Sequence, residues 1–522
     1  MPELTIDGKP VRVPPGATVL DAARELGVDV PALCFLEGYP PSTSCLVCMV
    51  KLRGSQRMVP ACGTRAEDGM EVESETPEVH QVRRTALELL LSDHAGDCLA
   101  PCHFACPAHM DIPLMLRQIG RLDLQRAIVT IKRDIALPAV LGRVCPKPCE
   151  KGCRRGAADG PVAVCELKRV AADADLASPN PYLPECSPQT GKRVAVVGAG
   201  PTGLAAAYYL RQKGHQVTLL DKQPEPGGRL RCQFSEEELQ RDVLDHEIQQ
   251  ILRLGIQTRW ETEVGQDPSL DDLQTGFDAV LVACGKIDPQ RVRQWGLEAS
   301  PRGIQVDRGT FQTSRPGLFA AGCAVRGQCL VVRSVADGKE AAGAIDRYLA
   351  GRPIHGPGRP FSSRLGRLEQ EELVQLVQIA SPAPRQPLPS SADLPVARAA
   401  EQAARCLHCD CRKLTQCKLK RYAERYGADP NRYRGPRARF QLVDHHGEVI
   451  YEPGKCIDCG LCIEIAKRAG EPLGLTFIGR GFDVRVGVPF NRSLQEALSR
   501  TAAQCVAACP TGALALREPP EA

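Results

Sequence analysis

The residues best equipped for chemistry in this chain are its 25 cysteines, which fall into tight groups. Cys45 and Cys48 are separated by two residues, as are Cys406 and Cys409, and Cys456, Cys459 and Cys462 in succession. Intervals that short are poor geometry for a disulfide but let thiolates converge on a metal or an iron–sulfur cluster. Proline directly after the last cysteine of a run, as in Cys106-Pro107 and Cys509-Pro510, favours iron–sulfur clusters. Zinc would favour two separated pairs. A disulfide scaffold is excluded, because such folds are small, secreted and preceded by a signal segment.

Four groups follow from the spacing. Cys34-x10-Cys45-x2-Cys48-x13-Cys62 can hold the two irons of a [2Fe–2S] centre on a looped β scaffold. The second group opens as His94-x3-Cys98-x3-Cys102-x3-Cys106 and continues with Cys145, Cys149, Cys153 and Cys165. A neutral imidazole at His94 in place of a thiolate would raise a cluster's potential by leaving less negative charge on it. The third group, Cys406-x2-Cys409-x1-Cys411-x5-Cys417, suffices for one more [4Fe–4S] cluster, with a zinc site as the alternative. The fourth, Cys456-x2-Cys459-x2-Cys462, is completed by Cys509 in the bacterial ferredoxin pattern. Cys505, one helical turn before Cys509, is spare or belongs to an incomplete second site.

A different chemistry lies at residues 193–221. A predicted strand runs into Gly198-x-Gly200-x-x-Gly203, Pro201 opens a helix, and a second strand ends at Asp221. Gly198 makes the turn, Gly200 lets a pyrophosphate approach the backbone, and Gly203 lets helix pack on strand. The helix N-terminus favours the phosphate charge, and Asp221 is placed to accept from ribose hydroxyls.

These groups need scaffolds, and two Pro-rich stretches, 178–191 and 381–395, divide the chain. Residues 1–78 read as a mixture of short strands and loops, and 79–190 as mostly helical. Residues 191–355 alternate strand and helix, 356–395 read as an exposed linker, 396–435 as a helical four-cysteine segment and 436–522 as a small α+β module. Hydrophobic residues at 43% and charged residues at 25% are ordinary for a globular protein and exclude disorder. A net charge of +4 over 522 residues excludes a nucleic-acid or anionic-membrane footprint. Without a run of about 18 apolar residues or a signal pattern at the N-terminus, the chain reads as cytoplasmic, with no membrane span.

Two families are resembled. The first cysteine group, the His94-x3-Cys98 opening and the interrupted final module resemble parts of the large iron–sulfur subunit of respiratory complex I. HAGDCLAPCHFACP, GRVCPKPCEKGC and the fingerprint resemble the small subunit of glutamate synthase and dihydropyrimidine dehydrogenase over residues 85–350. By position, that resemblance implies one cubane on His94, Cys98, Cys102 and Cys153. It implies a second on Cys106, Cys145, Cys149 and Cys165, where the family often has a non-cysteine fourth ligand. PEPGGRLR, with Gly227, Gly228 and Arg229, resembles the family's second phosphate-side loop and implies FAD rather than NAD. FDAVLVACG, ending at Gly285, and RPGLFAAGCA, with Gly322 and Cys323, resemble its later flavin motifs. Cys323 stands where the family has Asp, and the family's second GxGxxG domain for NAD(P)H has no counterpart in the sequence.

The expected architecture is multidomain α/β plus α+β: a β-grasp [2Fe–2S] ferredoxin, a helical two-[4Fe–4S] domain, a Rossmann-type FAD domain and a ferredoxin-like [4Fe–4S] tail. The expected cofactors are FAD, one [2Fe–2S] and about four [4Fe–4S] clusters, with no catalytic side chain beyond them. The favoured function is an electron-transfer subunit of an oxidoreductase, relaying electrons or splitting them between two branches. Its expected partners are an NAD-handling flavoprotein subunit and a hydrogenase or formate dehydrogenase catalytic subunit, with ferredoxin a further candidate. The alternatives are a self-contained NAD(P)H reductase and an iron–sulfur scaffold with a vestigial flavin site.

Overall fold

A computed structural model describes residues 1–265, 267–356, 358, 360–387 and 396–517. The chain divides into two compact units. Unit one comprises Met1–Ala100, Pro360–Ile379 and His408–Ala522. Unit two comprises Pro101–Arg359 and Ala380–Leu407, so along the chain it interrupts unit one twice.

Unit one opens with β1 (Glu3–Ile6), β2 (Lys9–Arg12), β3 (Met49–Leu52), β4 (Arg57–Pro60) and β5 (Glu71–Glu73). They form one mixed sheet of order β2-β1-β5-β3-β4, in which β1 and β5 run parallel. Asp7 and Gly8 turn the first hairpin, both at positive φ, which a two-residue hairpin of this hand requires. Leu4 and Ile6 point inward and meet Val19 and Leu20 of the helix Val19–Glu25. That helix is fixed by a capping box between Thr18 and Asp21.

Unit two carries a parallel sheet. Its strands are β6 (Arg193–Val197), β7 (Gln216–Leu220), β8 (Gln257–Arg259), β9 (Ala279–Val282) and, after the hairpin β10 (Ala299–Ser300) and β11 (Gly303–Ile304), β12 (Leu318–Ala320). The order is β12-β9-β6-β7-β8, with every neighbouring pair parallel. Val194–Val197 and Ala279–Val282 are buried throughout, as a sheet covered on both faces demands. The helices Pro201–Gln212 and Val331–Leu349 cross closely at Gly338, where a Cβ would stand 2.3 Å from the Thr202 carbonyl oxygen.

The sequence places a boundary near residue 190, but the packing carries one core across it. Met115, Ile131 and Leu141 of the helical segment belong to the same apolar cluster as Val194 and Leu204. Lys132 pins the two parts: its buried ammonium donates to Asp175 (2.6 Å), the Tyr182 carbonyl (2.8 Å) and Gln250 (2.7 Å). Lys132→Met leaves the Asp175 carboxylate buried without its cation, which costs about 3–5 kcal/mol. A lowered thermal midpoint, largely recovered by adding Asp175→Leu, is the expected result.

The last strands return to unit one: β13 (Val449–Tyr451) pairs with β16 (Leu514–Leu516), and β14 (Thr476–Ile478) with β15 (Arg485–Gly487), both antiparallel. In the stretch 356–395, expected as an exposed linker, described residues pack into both units. Residues 357, 359 and 388–395 of it lie outside the described residues. Pro360–Ile379 packs into unit one: Leu373 and Leu376 of the helix Gln370–Gln378 are buried, and Glu372 accepts from Arg437 (2.6 Å). Arg385 likewise pairs with Glu150 (3.0 Å) within unit two. Prolines alone do not make a stretch free, because Leu and Glu side chains between them find buried partners. Among the described residues, no helix is long and apolar enough to cross a membrane.

Candidate flavin and iron–sulfur sites

In unit one, the loop before β3 carries Cys34, Cys45 and Cys48, and Cys62 follows β4; all four are buried. Their thiols converge: Cys48 Sγ lies 3.3 Å from Cys62 Sγ, and Cys34 contacts both Cys45 and Cys62. Thr43 and Leu46 take positive φ, which bends the loop around this point.

The second convergence in unit one joins distant parts of the chain. The Cys411 amide donates to the Cys98 carbonyl (3.1 Å), and the Cys411 and Cys417 thiols face each other. Cys417 also faces Cys98. His94 Nδ1 is buried with no hydrogen-bond partner among the described residues. Burial, with the charge of Lys455, lowers the pKa of His94 to about 4, which leaves a neutral imidazole with a free ring nitrogen. One imidazole and three thiols suit a cubane. Gly96 and Gly512 keep this place small: a Cβ would stand 2.6 Å from Lys455 Cε at the first and 2.4 Å from Cys411 Sγ at the second.

The third is a small enclosed space lined by Cys456, Cys459, Cys462 and Cys509 together with Tyr451 and Pro510. Cys505 stands aside, its thiol donating to the Cys462 carbonyl (3.7 Å). Cys34, Cys45, Cys417 and Cys459 all border one apolar cluster, so the three thiol groups of unit one share a core.

Unit two holds one further group, and Cys102, Cys153 and Cys406 besides it. Cys106, Cys145, Cys149 and Cys165 are buried, and Cys145 contacts Cys165. Lys168 is buried facing all four; burial pushes its pKa down, but Cys165, Cys145, Cys149 and Cys106 hold it up. Four thiols around one interior cation fit an anionic cluster far better than four neutral thiols, which leave a buried ammonium without a counter-charge. Cys102, Cys153 and Cys406 are half-buried, and each packs against the large core of this unit. The helices carrying Cys102 and Cys149 meet at Gly152, where a Cβ would stand 2.8 Å from Ala105 Cβ. Arg155, two residues past Cys153, donates to the Arg405 carbonyl (2.5 Å), and the buried Arg405 donates to Asp159 (2.9 Å).

The expected groupings thus divide differently. His94 and Cys98 lie in unit one and Cys102 and Cys153 in unit two; Cys406 lies in unit two and Cys409, Cys411 and Cys417 in unit one. The third cysteine run straddles a boundary, because the chain passes from one unit to the other after Leu407. Lys168 and Lys455 were not singled out by motif, since an isolated lysine carries no spacing signal.

The dinucleotide cleft, of about 790 Å³, lies at the C-terminal ends of β6 and β7. Gly198, Gly200, Pro201, Asp221, Gly228 and Arg229 line it, as do Gly285 and Cys323. Gly198 has φ +107°, and a Cβ there would stand 2.5 Å from the Ala283 carbonyl oxygen. At Gly203 a Cβ would stand 1.8 Å from the Gly198 carbonyl oxygen, so helix and turn fit only without it. A Cβ at Gly200 meets only open space, which leaves room for a phosphate against the backbone. Asp221 holds the turn by accepting from the amides of Ala199 (2.6 Å) and Gln223 (2.8 Å). Gly227 donates to the Ala199 carbonyl (2.8 Å), which fixes the second glycine loop over the first. Gly322, at φ +67°, packs on Thr202 and directs Cys323 into the cleft. A cleft of this volume, with a glycine turn and a helix N-terminus at one end, fits a flavin dinucleotide.

Comparisons with known proteins agree with this geometry. The model of the 2Fe-2S iron-sulfur cluster binding domain matches residues 2–77, and that of dihydropyrimidine dehydrogenase domain II, 4Fe-4S cluster, matches 79–179. The pyridine nucleotide-disulphide oxidoreductase model matches 161–338. The chain is 38% identical over 207 residues to the NADP(+)-dependent formate dehydrogenase subunit beta of Moorella thermoacetica, covering 36% of this chain and 29% of that one. It is 39% identical over 211 residues to the NADPH-Fe(3+) oxidoreductase subunit beta of Geobacter sulfurreducens, covering 40% and 30%. Against the glutamate synthase [NADPH] small chain of Escherichia coli it is 34% identical over 205 residues, covering 38% and 43%. The chain therefore spans less than half the length of these curated relatives. Three segments of the chain thus match, in order, a 2Fe-2S iron-sulfur cluster binding domain, a 4Fe-4S domain of the dihydropyrimidine dehydrogenase type and a pyridine nucleotide-disulphide oxidoreductase domain.

Proposed function

We propose that this chain is an electron-transfer subunit of a multi-subunit oxidoreductase, carrying FAD, one [2Fe–2S] and four [4Fe–4S] clusters. The observation that carries the reading is the gathering of cysteines at four places, around Cys34, Cys417, Cys459 and Cys165, the last in the same compact unit as the dinucleotide cleft. The [2Fe–2S] ligands are Cys34, Cys45, Cys48 and Cys62. One cubane takes His94, Cys98, Cys411 and Cys417, and another Cys456, Cys459, Cys462 and Cys509. Unit two supplies Cys106, Cys145, Cys149 and Cys165 to a third, and Cys102, Cys153 and Cys406 to a fourth.

The flavin supplies one- and two-electron chemistry when bound. The chain's own residues hold it: Gly198, Gly200 and Gly203 shape the phosphate turn, Asp221 braces that turn, and Arg229 and Cys323 face the cleft from the far side. Lys168 and Lys455 set cationic charge beside their thiol groups, which favours the more reduced, more negative cluster state. Between β9 and β12 the chain has room only for the helix Pro289–Gln294 and the hairpin β10–β11. A partner must then handle the pyridine nucleotide, and the relatives' names point to formate dehydrogenase or NADPH-dependent iron oxidoreductase subunits as the kind of partner. Anaerobic mixing of the cofactor-replete chain with NADH or NADPH tests this. Flavin bleaching slower than a turnover rate of about 1 s⁻¹ with both is expected; fast bleaching by either would make the chain a reductase in its own right.

A further inference from the structure

The flavin cleft holds a second redox-capable feature, a pair of cysteines. Cys323 follows Gly322 at the start of the short helix Cys323–Arg326, and its side chain lines the cleft. The turn at Gly327, φ +74°, folds the chain back so that Cys329 Sγ lies 2.6 Å from Cys323 Sγ. Ser334 Oγ, on the first turn of the helix Val331–Leu349, lies 3.1 Å from Cys329 Sγ. Arg229 closes the other side: Nη1 donates to Cys323 Sγ (3.3 Å) and to the Cys329 carbonyl (2.7 Å). The hydrogen bond from Cys329, outweighing burial, and the charge of Arg229 hold the Cys323 thiol below its ordinary pKa, to about 6.

A low-pKa thiol beside a cation, with a second thiol in bonding reach, is the arrangement of an attacking and a resolving cysteine. A purely packing role would need neither the guanidinium nor the serine. We propose that Cys323 and Cys329 form a reversible disulfide that exchanges an electron pair with the flavin of this cleft. In the oxidising direction the Cys329 S–H bond breaks, one S–S bond forms between the Cys323 thiolate and Cys329, and both electrons pass to the oxidised flavin together with the Cys329 proton. The reverse restores the thiolate–thiol pair from the reduced flavin. The pair would store two electrons beside a cofactor that must feed one-electron clusters. This inference rests on the flavin reading above.

The test uses the holo chain. It is oxidised with diamide, or reduced stepwise with light and deazaflavin, then acid-quenched, alkylated and digested with trypsin. Cleavage after Arg326, between the two cysteines, turns the disulfide into a crosslinked peptide pair. That pair should be present in the oxidised sample and disappear in step with flavin reduction. Cys329→Ser should bind flavin and iron as the parent does and take up two fewer electrons per chain. Cys329→Ala provides the same count if serine disturbs folding. A crosslink that never forms, one that survives full flavin reduction, or equal electron uptake in parent and variant overturns the proposal. A preparation without flavin absorbance contradicts the flavin reading instead, so the two failures are distinct.

Discussion

Alanine at Cys411 or at Cys417 is expected to remove the same [4Fe–4S] cluster, about four irons from a complement of about 18, and alanine at Cys406 a different one. The reason is the division of the run between units. Cys417 faces Cys98, the Cys411 amide donates to the Cys98 carbonyl and Lys455 lies beside both Cys411 and His94, whereas Cys406 belongs to the unit that holds Cys102 and Cys153. The spectra separate the two losses. The cluster with an imidazole ligand titrates at higher potential than the all-thiolate ones. Its signal should vanish from electron paramagnetic resonance spectra of Cys411→Ala and Cys417→Ala and persist in Cys406→Ala. His94→Cys should keep the iron and lower that potential. Identical losses from all three alanine variants would mean that residues 406–417 form one local site after all. Because thiol groups line the core shared by Cys34, Cys45, Cys417 and Cys459, losing the His94 cluster should also destabilise unit one.

The second large effect lies at the phosphate turn. Gly203→Val puts a Cβ 1.8 Å from the Gly198 carbonyl oxygen, a contact no rotamer relieves. Helix and strand must separate, at a cost of at least about 3 kcal/mol, and bound flavin should fall below about a tenth of the parent's. Gly200→Ala isolates the ligand from the fold. Its Cβ meets nothing in the protein, so the apo chain should melt as the parent does. Flavin content should nevertheless fall on the order of tenfold, since the methyl group occupies the side on which the pyrophosphate must approach. Equal flavin content in Gly200→Ala and parent would place the dinucleotide elsewhere.

Local pattern carried much of this. The strand–turn–helix–strand–acid run at 193–221 is a contiguous signal; Gly198, Gly200, Pro201 and Asp221 line the cleft, and Gly203 packs behind the turn. The groups Cys34–Cys62 and Cys456–Cys509 were legible for the same reason, as each lies on one small scaffold. Three features were not. Cys98 and Cys411 are brought together by a unit inserted between them, and no spacing rule spans an insertion of that length. Cys323-x5-Cys329 matches no cluster motif by itself, and only the turn at Gly327 brings the two thiols together. The helical segment ending near residue 190 looked separable because prolines follow it, yet Lys132 and the apolar faces of its helices are completed by residues of the dinucleotide domain.

The most direct test of the account is whether electrons placed on the flavin of the isolated chain reach its clusters. The holo chain, anaerobic and fully oxidised, would have its flavin reduced photochemically by a brief flash and be frozen at intervals for electron paramagnetic resonance. The account predicts that reduced flavin decays as reduced iron–sulfur signals rise, in matching electron counts. Flavin that stays reduced beside oxidised clusters, or that reoxidises with no cluster signal, would contradict a relay.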